Sequence, residues 1–228
     1  MTSIPAEMNG PALGKGIYTV ADVARILKIP YYKALRTLKD YWNKRLAAHS
    51  LEDYSWTKGK SHTIGFHTLV EFYTYFQLRE QGVPTPQILQ AHYDLAQRFG
   101  TTYPFAKASI LDGLMCNCKR IVLDNEGDLL DLKLSGLCNL RFIKPFLQKL
   151  DFDNNELAER LWPLGKDVEV VTDPDHQFGQ PTISGTNISP IAIYRMHQAN
   201  EPSSFIAATY RITEKQVKDA IKYCKQAA

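Results

Sequence analysis

Tyr32, Lys33, Arg36 and Lys39 recur three and four residues apart, so a helix through this stretch carries them on one side. Guanidinium and ammonium groups in that pattern reach guanine edges and phosphates when a helix lies in a major groove. The alternative is a basic helix face that is only solvated. The segment Tyr54 to Phe66 favours the first reading, because β-forming residues flank Lys58-Gly59-Lys60 and imply a hairpin with a basic tip. The candidate DNA contacts are therefore Thr19, Tyr32, Lys33, Arg36, Lys39, Lys58 and Lys60.

Catalytic frames are missing from the sequence. There is no Gly-rich phosphate loop, no H-E-x-x-H and no nucleophile elbow, and the six histidines are dispersed. The acidic pairs Asp151-Phe-Asp153 and Asp173-Pro-Asp175 read as turn formers. Cys116-Asn-Cys118 could offer two soft metal ligands, but no His or third Cys stands at a familiar ligand spacing. A binding protein without a cofactor is expected. The four cysteines are too few and too scattered for a disulfide scaffold, which suits a reducing cytoplasm. No apolar run approaches the roughly 20 residues of a membrane span.

The chain has 228 residues, 44% of them hydrophobic and 22% charged, so it can build real cores and more than one domain is expected. Charge is unevenly spread. Residues 15–60 carry ten Lys/Arg against four Asp/Glu, residues 101–168 nine against ten, and residues 169–228 six against six. A basic first module followed by neutral ones implies a polyanion partner for the front of the chain.

The elements that would position these residues can be read in order. After a Gly/Pro-rich leader, residues 1–16, Thr19 caps a short helix with Val20, Val23, Ala24 and Leu27 on its apolar face. Pro30 breaks the pattern. A second helix follows from Tyr31 to Trp42, with Ala34, Leu35, Leu38, Tyr41 and Trp42 inward. Two short helices and a basic hairpin make a winged-helix pattern over residues 17–100, and residues 1–100 alone should bind duplex DNA. Strongly apolar residues from His67 to Leu78 and a segment from Pro86 to Phe99 supply two more helices. Tyr18 to Pro30 and Leu78-Arg-Glu-Gln-Gly-Val-Pro-Thr-Pro-Gln-Ile88 resemble the opening helix and post-wing segment of the MerR-like winged-helix family.

Residues 101–168 read as a connecting or dimerising module. Lys119 to Asp124 and Leu129 to Leu134 form a β-hairpin around Asn125 to Asp128, and Phe142 to Leu150 is a short helix or strand. A homodimer is expected, because readers of this kind engage two half-sites about one helical turn apart.

Residues 169–228 begin with an extended hook, Val168 to Ile188, punctuated by Gly179, Pro181, Gly185 and Thr186. Three helices follow, from Pro190 to Gln198, Pro202 to Tyr210 and Thr213 to Lys225, the last opened by the capping box Thr213-Glu-Lys-Gln216. Gly185 is expected in a tight turn that a side chain would unfold. Ile191, Tyr194, Met196, Phe205, Ile206, Tyr210 and Tyr223 exceed what so small a core should bury, so some should face a partner. Asp173 to Tyr223 closely resembles domain-of-unknown-function family 433, found in VapB-type antitoxins. That resemblance implies a type II antitoxin that neutralises a PIN-like ribonuclease toxin and represses its own operator. Arg195, Tyr210, Arg211, Lys222 and Lys225 are then the candidate toxin contacts. The fold class expected throughout is mainly α with small β elements. Two rival readings are an effector sensor with a pocket lined by Phe142, Phe146, Trp162 and Tyr194, and DNA reading by the C-terminal helices themselves.

Overall fold

The computed structural model describes residues 15–50, 53–58, 61–117, 120–125, 128–131 and 147–226. The first strand, β1 (Tyr18–Thr19), ends where Thr19 caps α1 (Val20–Leu27). The Thr19 hydroxyl accepts from the Asp22 N–H, and the Asp22 carboxylate accepts from the Thr19 N–H in return. This reciprocal box fixes the register that turns Val20, Val23 and Ile26 inward. Lys28 ends the helix in the left-handed region, and Pro30 starts α2 (Tyr31–Arg36). Beyond Arg36 the chain stays helical in a wider π form through Thr37–Leu46, closed by the Ala47 N–H on the Trp42 carbonyl. The helix thus runs past the expected end at Trp42. The wider turn sends Thr37, Leu38, Trp42 and Leu46 into one core, where Trp42 packs edge-on against Phe72 at 4.7 Å and Tyr75 at 5.5 Å.

Strands β2 (Ser55–Lys58) and β3 (Ser61–Ile64) pair antiparallel with Lys58 opposite Ser61, and β3 also pairs with β1. Helix α3 (Phe66–Glu80) is apolar almost all round and buried, as a central helix must be. Helix α4 (Thr85–Phe99) covers it and ends at left-handed Gly100. Between them lies a polar pair within the apolar core. Glu71 and His92 are fully buried and hydrogen-bonded, and the other Glu71 oxygen accepts from the Phe105 N–H at 2.8 Å.

Helix α5 (Ala108–Gly113) leads into a three-stranded antiparallel sheet of β4 (Leu114–Asn117), β5 (Arg120–Asn125) and β6 (Asp128–Asp131). The expected hairpin is β5–β6, with Asn125 opposite Asp128; β4 is a third strand. The hairpin of β7 (Leu150–Phe152) and β8 (Ala158–Leu161) then returns to the first core, which runs from Tyr18 to Leu161 and includes Leu150, Ala158 and Leu161. Short strands β9 (Val170–Val171) and β10 (Thr182–Ile183) bracket the hook. Helices α6 (Pro190–Gln198), α7 (Ser203–Tyr210) and α8 (Glu214–Gln226) close over Ile183, Ile193, Ile206, Val217 and Ala220. The Thr213–Gln216 box is present in both directions. The fold is mainly α with small antiparallel sheets. Among the described residues, no helix is long and apolar enough to cross a membrane.

Candidate nucleic-acid interface and the C-terminal hook

The face of α2 meets the spacing argument. Tyr32, Lys33, Arg36 and Lys39 are all exposed, while Ala34, Thr37 and Leu38 beside them are buried. Arg36 is 3.7 Å from Asp40, an ion pair in open solvent. Tyr31 adds an exposed ring next to Tyr32, at 53% and 65% exposure. Tyr31 is not among the contacts expected from the cation spacing. Its only signal in the sequence is its place directly after Pro30, at the first position of a helix whose buried side starts at Ala34. Thr19 sits apart in function, since its hydroxyl is committed to the Asp22 box. Lys58 closes strand β2, and Lys60 lies outside the described residues.

The hook is held by side chains that the sequence marks as turn formers. Asp173 is buried, accepts from the Arg160 Nε at 2.9 Å and from the Asp175 N–H, and lies 3.2 Å from the His176 Nδ1. The hydrogen bond from Arg160 to Asp173 holds the guanidinium pKa above its ordinary value. The Thr186 hydroxyl donates to the Ile183 carbonyl and accepts from the Ile188 N–H, closing the second turn. Arg160, Trp162, Asp173, His176, Thr182 and Ser184 surround a polar cavity of about 260 Å³. Arg160 and Trp162 come from β8 and its exit, which no local motif announces.

The two glycines of the hook differ in kind. Gly185 has φ +73° and would place an added Cβ in open space. The expected steric block at Gly185 is therefore corrected: its requirement is backbone conformation alone. Gly179 is the crowded one. A Cβ there would stand 2.2 Å from the Tyr18 hydroxyl and 2.6 Å from its ring, at φ +85°. Tyr18 is fully buried, its phenol pKa is pushed well up by burial and by the charges of Asp173 and Asp22, and its hydroxyl has no partner among the described residues. The hook thus docks on β1 and α1. The Ile17 N–H donates to the Phe178 carbonyl at 2.8 Å, and Arg25 bridges Asp22 and Gln180. Gln177 and Phe178 both take positive φ, and the Phe178 ring is 69% exposed.

The candidate toxin contacts are spread over α6, the end of α7 and α8. Arg195 is exposed on the last turn of α6, and Arg211 is exposed at the left-handed corner before α8. Tyr210 is half-buried against the C-terminal core. Lys222 and Lys225 lie toward the far end of α8, about 12 and 17 Å along the helix from its start at Glu214 by the rise per residue. That end abuts the first module, where Lys28 Nζ donates to Gln226 at 2.8 Å. Most of the apolar surplus expected to face a partner is accommodated inside: Ile206 and Tyr223 are buried, Ile191, Tyr194, Met196 and Tyr210 are half-buried, and Phe205 stays 51% exposed. Three helices alone could not bury these residues; Val168 and Val170 add a further small core with Tyr223 and Cys224. Burial pushes the Cys224 thiol up to about 11, which leaves it protonated and unreactive near neutrality.

Of the four effector-pocket residues, the structure describes Trp162 and Tyr194. Trp162 lines the polar cavity and Tyr194 packs beside Val168 and Tyr223, while Phe142 and Phe146 lie outside the described residues. Cys116 is in β4, and Cys118 is outside the described residues.

Residues 170–224 match the DUF433 family, described as a protein of unknown function. The chain is 26% identical to "Putative antitoxin VapB45" of Mycobacterium tuberculosis, over 90% of this chain and 92% of that protein. It is 40% identical to the uncharacterized protein Rv2308 of the same organism, over 25% of this chain and 24% of that one. The crystal structure of Rv2018 from M. tuberculosis superposes with a TM-score of 0.63 at 22% identity, covering 90% of this chain and 96% of that one. The chain therefore resembles the protein named "Putative antitoxin VapB45" along nearly its whole length, shares the fold of a solved mycobacterial protein, and matches the DUF433 model over residues 170–224.

Proposed function

We propose that this chain is the antitoxin of a type II toxin–antitoxin pair, binding a PIN-like ribonuclease toxin and repressing its own operator as a homodimer. One observation carries the DNA half: α2 and its π continuation expose Tyr32, Lys33, Arg36 and Lys39 above a well-packed core, and Asn43 of that continuation hydrogen-bonds Ser55 of the β2–β3 hairpin. A rigid helix with cations at groove spacing is what base and phosphate contact requires. The toxin half is supported by the antitoxin relative and the DUF433 segment. The neutral C-terminal module makes a poor phosphate clamp as a whole, with six cations against six anions, yet a suitable protein surface. No catalytic frame competes with this binding reading.

The test is direct. The full chain is titrated onto a labelled duplex from upstream of its own gene and onto a scrambled duplex, and it is co-expressed with the neighbouring gene. Specific binding, loss of base preference at Arg36→Ala by about 1–3 kcal/mol, and rescue of growth from the neighbouring product support the reading. Absence of DNA binding at low salt together with no rescue overturns it.

A further inference from the structure

The polar cavity beside the hook, about 260 Å³, is lined by two kinds of side chain. Some are already committed. Trp162 donates its indole N–H to Asp151, and the Thr186 hydroxyl donates to the Ile183 carbonyl. Buried Asp173 accepts from the Asp175 N–H on one oxygen, while the other takes the Arg160 Nε at 2.9 Å and lies 3.2 Å from the His176 Nδ1. Other donors on the same wall are left over. Thr182 of β10 is 2% exposed, yet its hydroxyl makes no hydrogen bond among the described residues. Unlike the hydroxyl of Thr172, which is sealed without a partner, that of Thr182 keeps access to solvent, and it does so on the cavity wall. Ser184 is fixed from both sides, its N–H on the Glu169 carbonyl at 3.0 Å and its carbonyl under the Gln216 amide, while its hydroxyl is unpaired among the described residues. Arg160 uses Nε for Asp173, and neither Nη nitrogen makes a hydrogen bond among the described residues.

We propose that this cavity binds a small phosphomonoester, its phosphate held by Arg160, Thr182 and Ser184. The inference stands apart from the readings of α2 and of the toxin contact, and either can fail without the other. A buried hydroxyl without a partner costs free energy, so one that opens only onto a polar cavity is completed by what enters there. The leftover groups are all donors to an anion. A guanidinium on β8 and hydroxyls on β10 and the turn after it supply three segments to one space, which suits the three oxygens of a phosphate. A planar carboxylate would engage the guanidinium and leave the hydroxyls over. A cation is the poorer match, because the Asp173 oxygens already hold three donors and no group of three metal-ligating side chains gathers among the described residues. Room for about nine waters at liquid density limits the ligand to a phosphate carrying a small polyol or sugar.

The test is calorimetric titration of the full chain with inorganic phosphate, glycerol phosphate, glycerol and acetate. Both phosphates should bind at millimolar concentration or below, and glycerol and acetate should not. Thr182→Val keeps the shape of the side chain and removes the orphan hydroxyl, so it should melt at the same temperature or higher yet bind glycerol phosphate about tenfold more weakly. Arg160→Lys keeps a cation beside Asp173 but loses the planar pair of donors, and should weaken binding at least about tenfold as well. Lys218→Gln, an exposed cation on α8, should change nothing. Phosphate bound equally by the parent, Thr182→Val and Arg160→Lys sits elsewhere, which overturns the site. Acetate binding as tightly as phosphate overturns it in favour of a carboxylate. No heat from either phosphate leaves a cavity that is merely hydrated and overturns it too. A short DNA duplex that loses affinity in Thr182→Val, without heat from the small phosphates, overturns it in favour of the nucleic-acid backbone.

Discussion

Replacing Gly179 with Ala should destabilise the protein through Tyr18, and the structure sets the size. At φ +85° an L-residue is strained by about 1–2 kcal/mol relative to glycine. The new methyl group would also stand 2.2 Å from the Tyr18 hydroxyl and 2.6 Å from Cζ, with the Gly16 Cα at 3.2 Å on another side. Tyr18 cannot yield easily, because it is fully buried beside Phe66. Overpacking of this kind costs a further 1–3 kcal/mol or so. The expected total of about 2–5 kcal/mol corresponds to roughly 5–15 °C in Tm for a chain of this size. Gly185→Ala is the internal control. It has φ +73° but no neighbour within 4 Å, so it should lose only the backbone part, about 1–2 kcal/mol. Thermal and urea unfolding by circular dichroism measure both. A double-mutant cycle with Tyr18→Ala should recover about 1–3 kcal/mol of the Gly179→Ala loss, because the clash is then gone. Equal losses at the two glycines, or a cycle that sums to zero, would refute the claim that the hook is seated rigidly on β1.

Three further outcomes follow from named contacts. Glu71→Ala strands buried His92 and the Phe105 N–H together, so urea unfolding should show a loss of about 3–5 kcal/mol, with Glu71→Gln losing less because an amide oxygen can still accept. Thr213→Ala removes one side of the α8 capping box and should lower stability by about 1 kcal/mol in the same assay, leaving the exposed face of α2 untouched. Burial raises the Asp151 carboxyl, but bonds from Lys166 and Trp162 outweigh it and hold the pKa below the ordinary value, so its contribution is complete above about pH 4 and is lost as acid carries the pH through the lowered pKa. The stability gap between wild type and Asp151→Asn should therefore be full at neutral pH and shrink on acidification; a gap that widens in acid would refute that assignment.

What the sequence makes legible is local. The Thr19 and Thr213 caps, the Pro30 break, the basic side of α2 and the polar turns of the hook each depend on residues within a few positions of one another. What escaped was contact between distant segments. Gly179 and Tyr18 are 161 positions apart by number, and nothing in a Gly-x-Pro turn says which ring will rest on it. The pairing of Glu71 with His92 looks, in sequence, like two ordinary polar interruptions of apolar helices. The far end of α8 reads in sequence as open to any partner, yet Gln226 there accepts from Lys28. The π continuation through Leu46 escaped for another reason: a period wider than 3.6 does not register in an α-helical pattern.

These long-range contacts also bear on how α2 is held. Helix α1 is fixed at its start, where Arg25 ties Asp22 to Gln180 of the hook, and at its end, where Lys28 meets Gln226 of α8. The core beneath α2 draws on Phe105, Ile110, Leu150, Ala158 and Leu161 as well as on α3 and α4. A fragment stopped at residue 100 would keep every candidate base contact on α2 yet lose the Phe105 N–H that partners Glu71 and the β7–β8 side of that core. Cooperative packing of this sort does not divide at the point where charge and composition change. The basic face of α2 is thus a local feature of some twenty residues, but its rigidity belongs to a body that extends at least to Leu161 and is braced from outside by the hook.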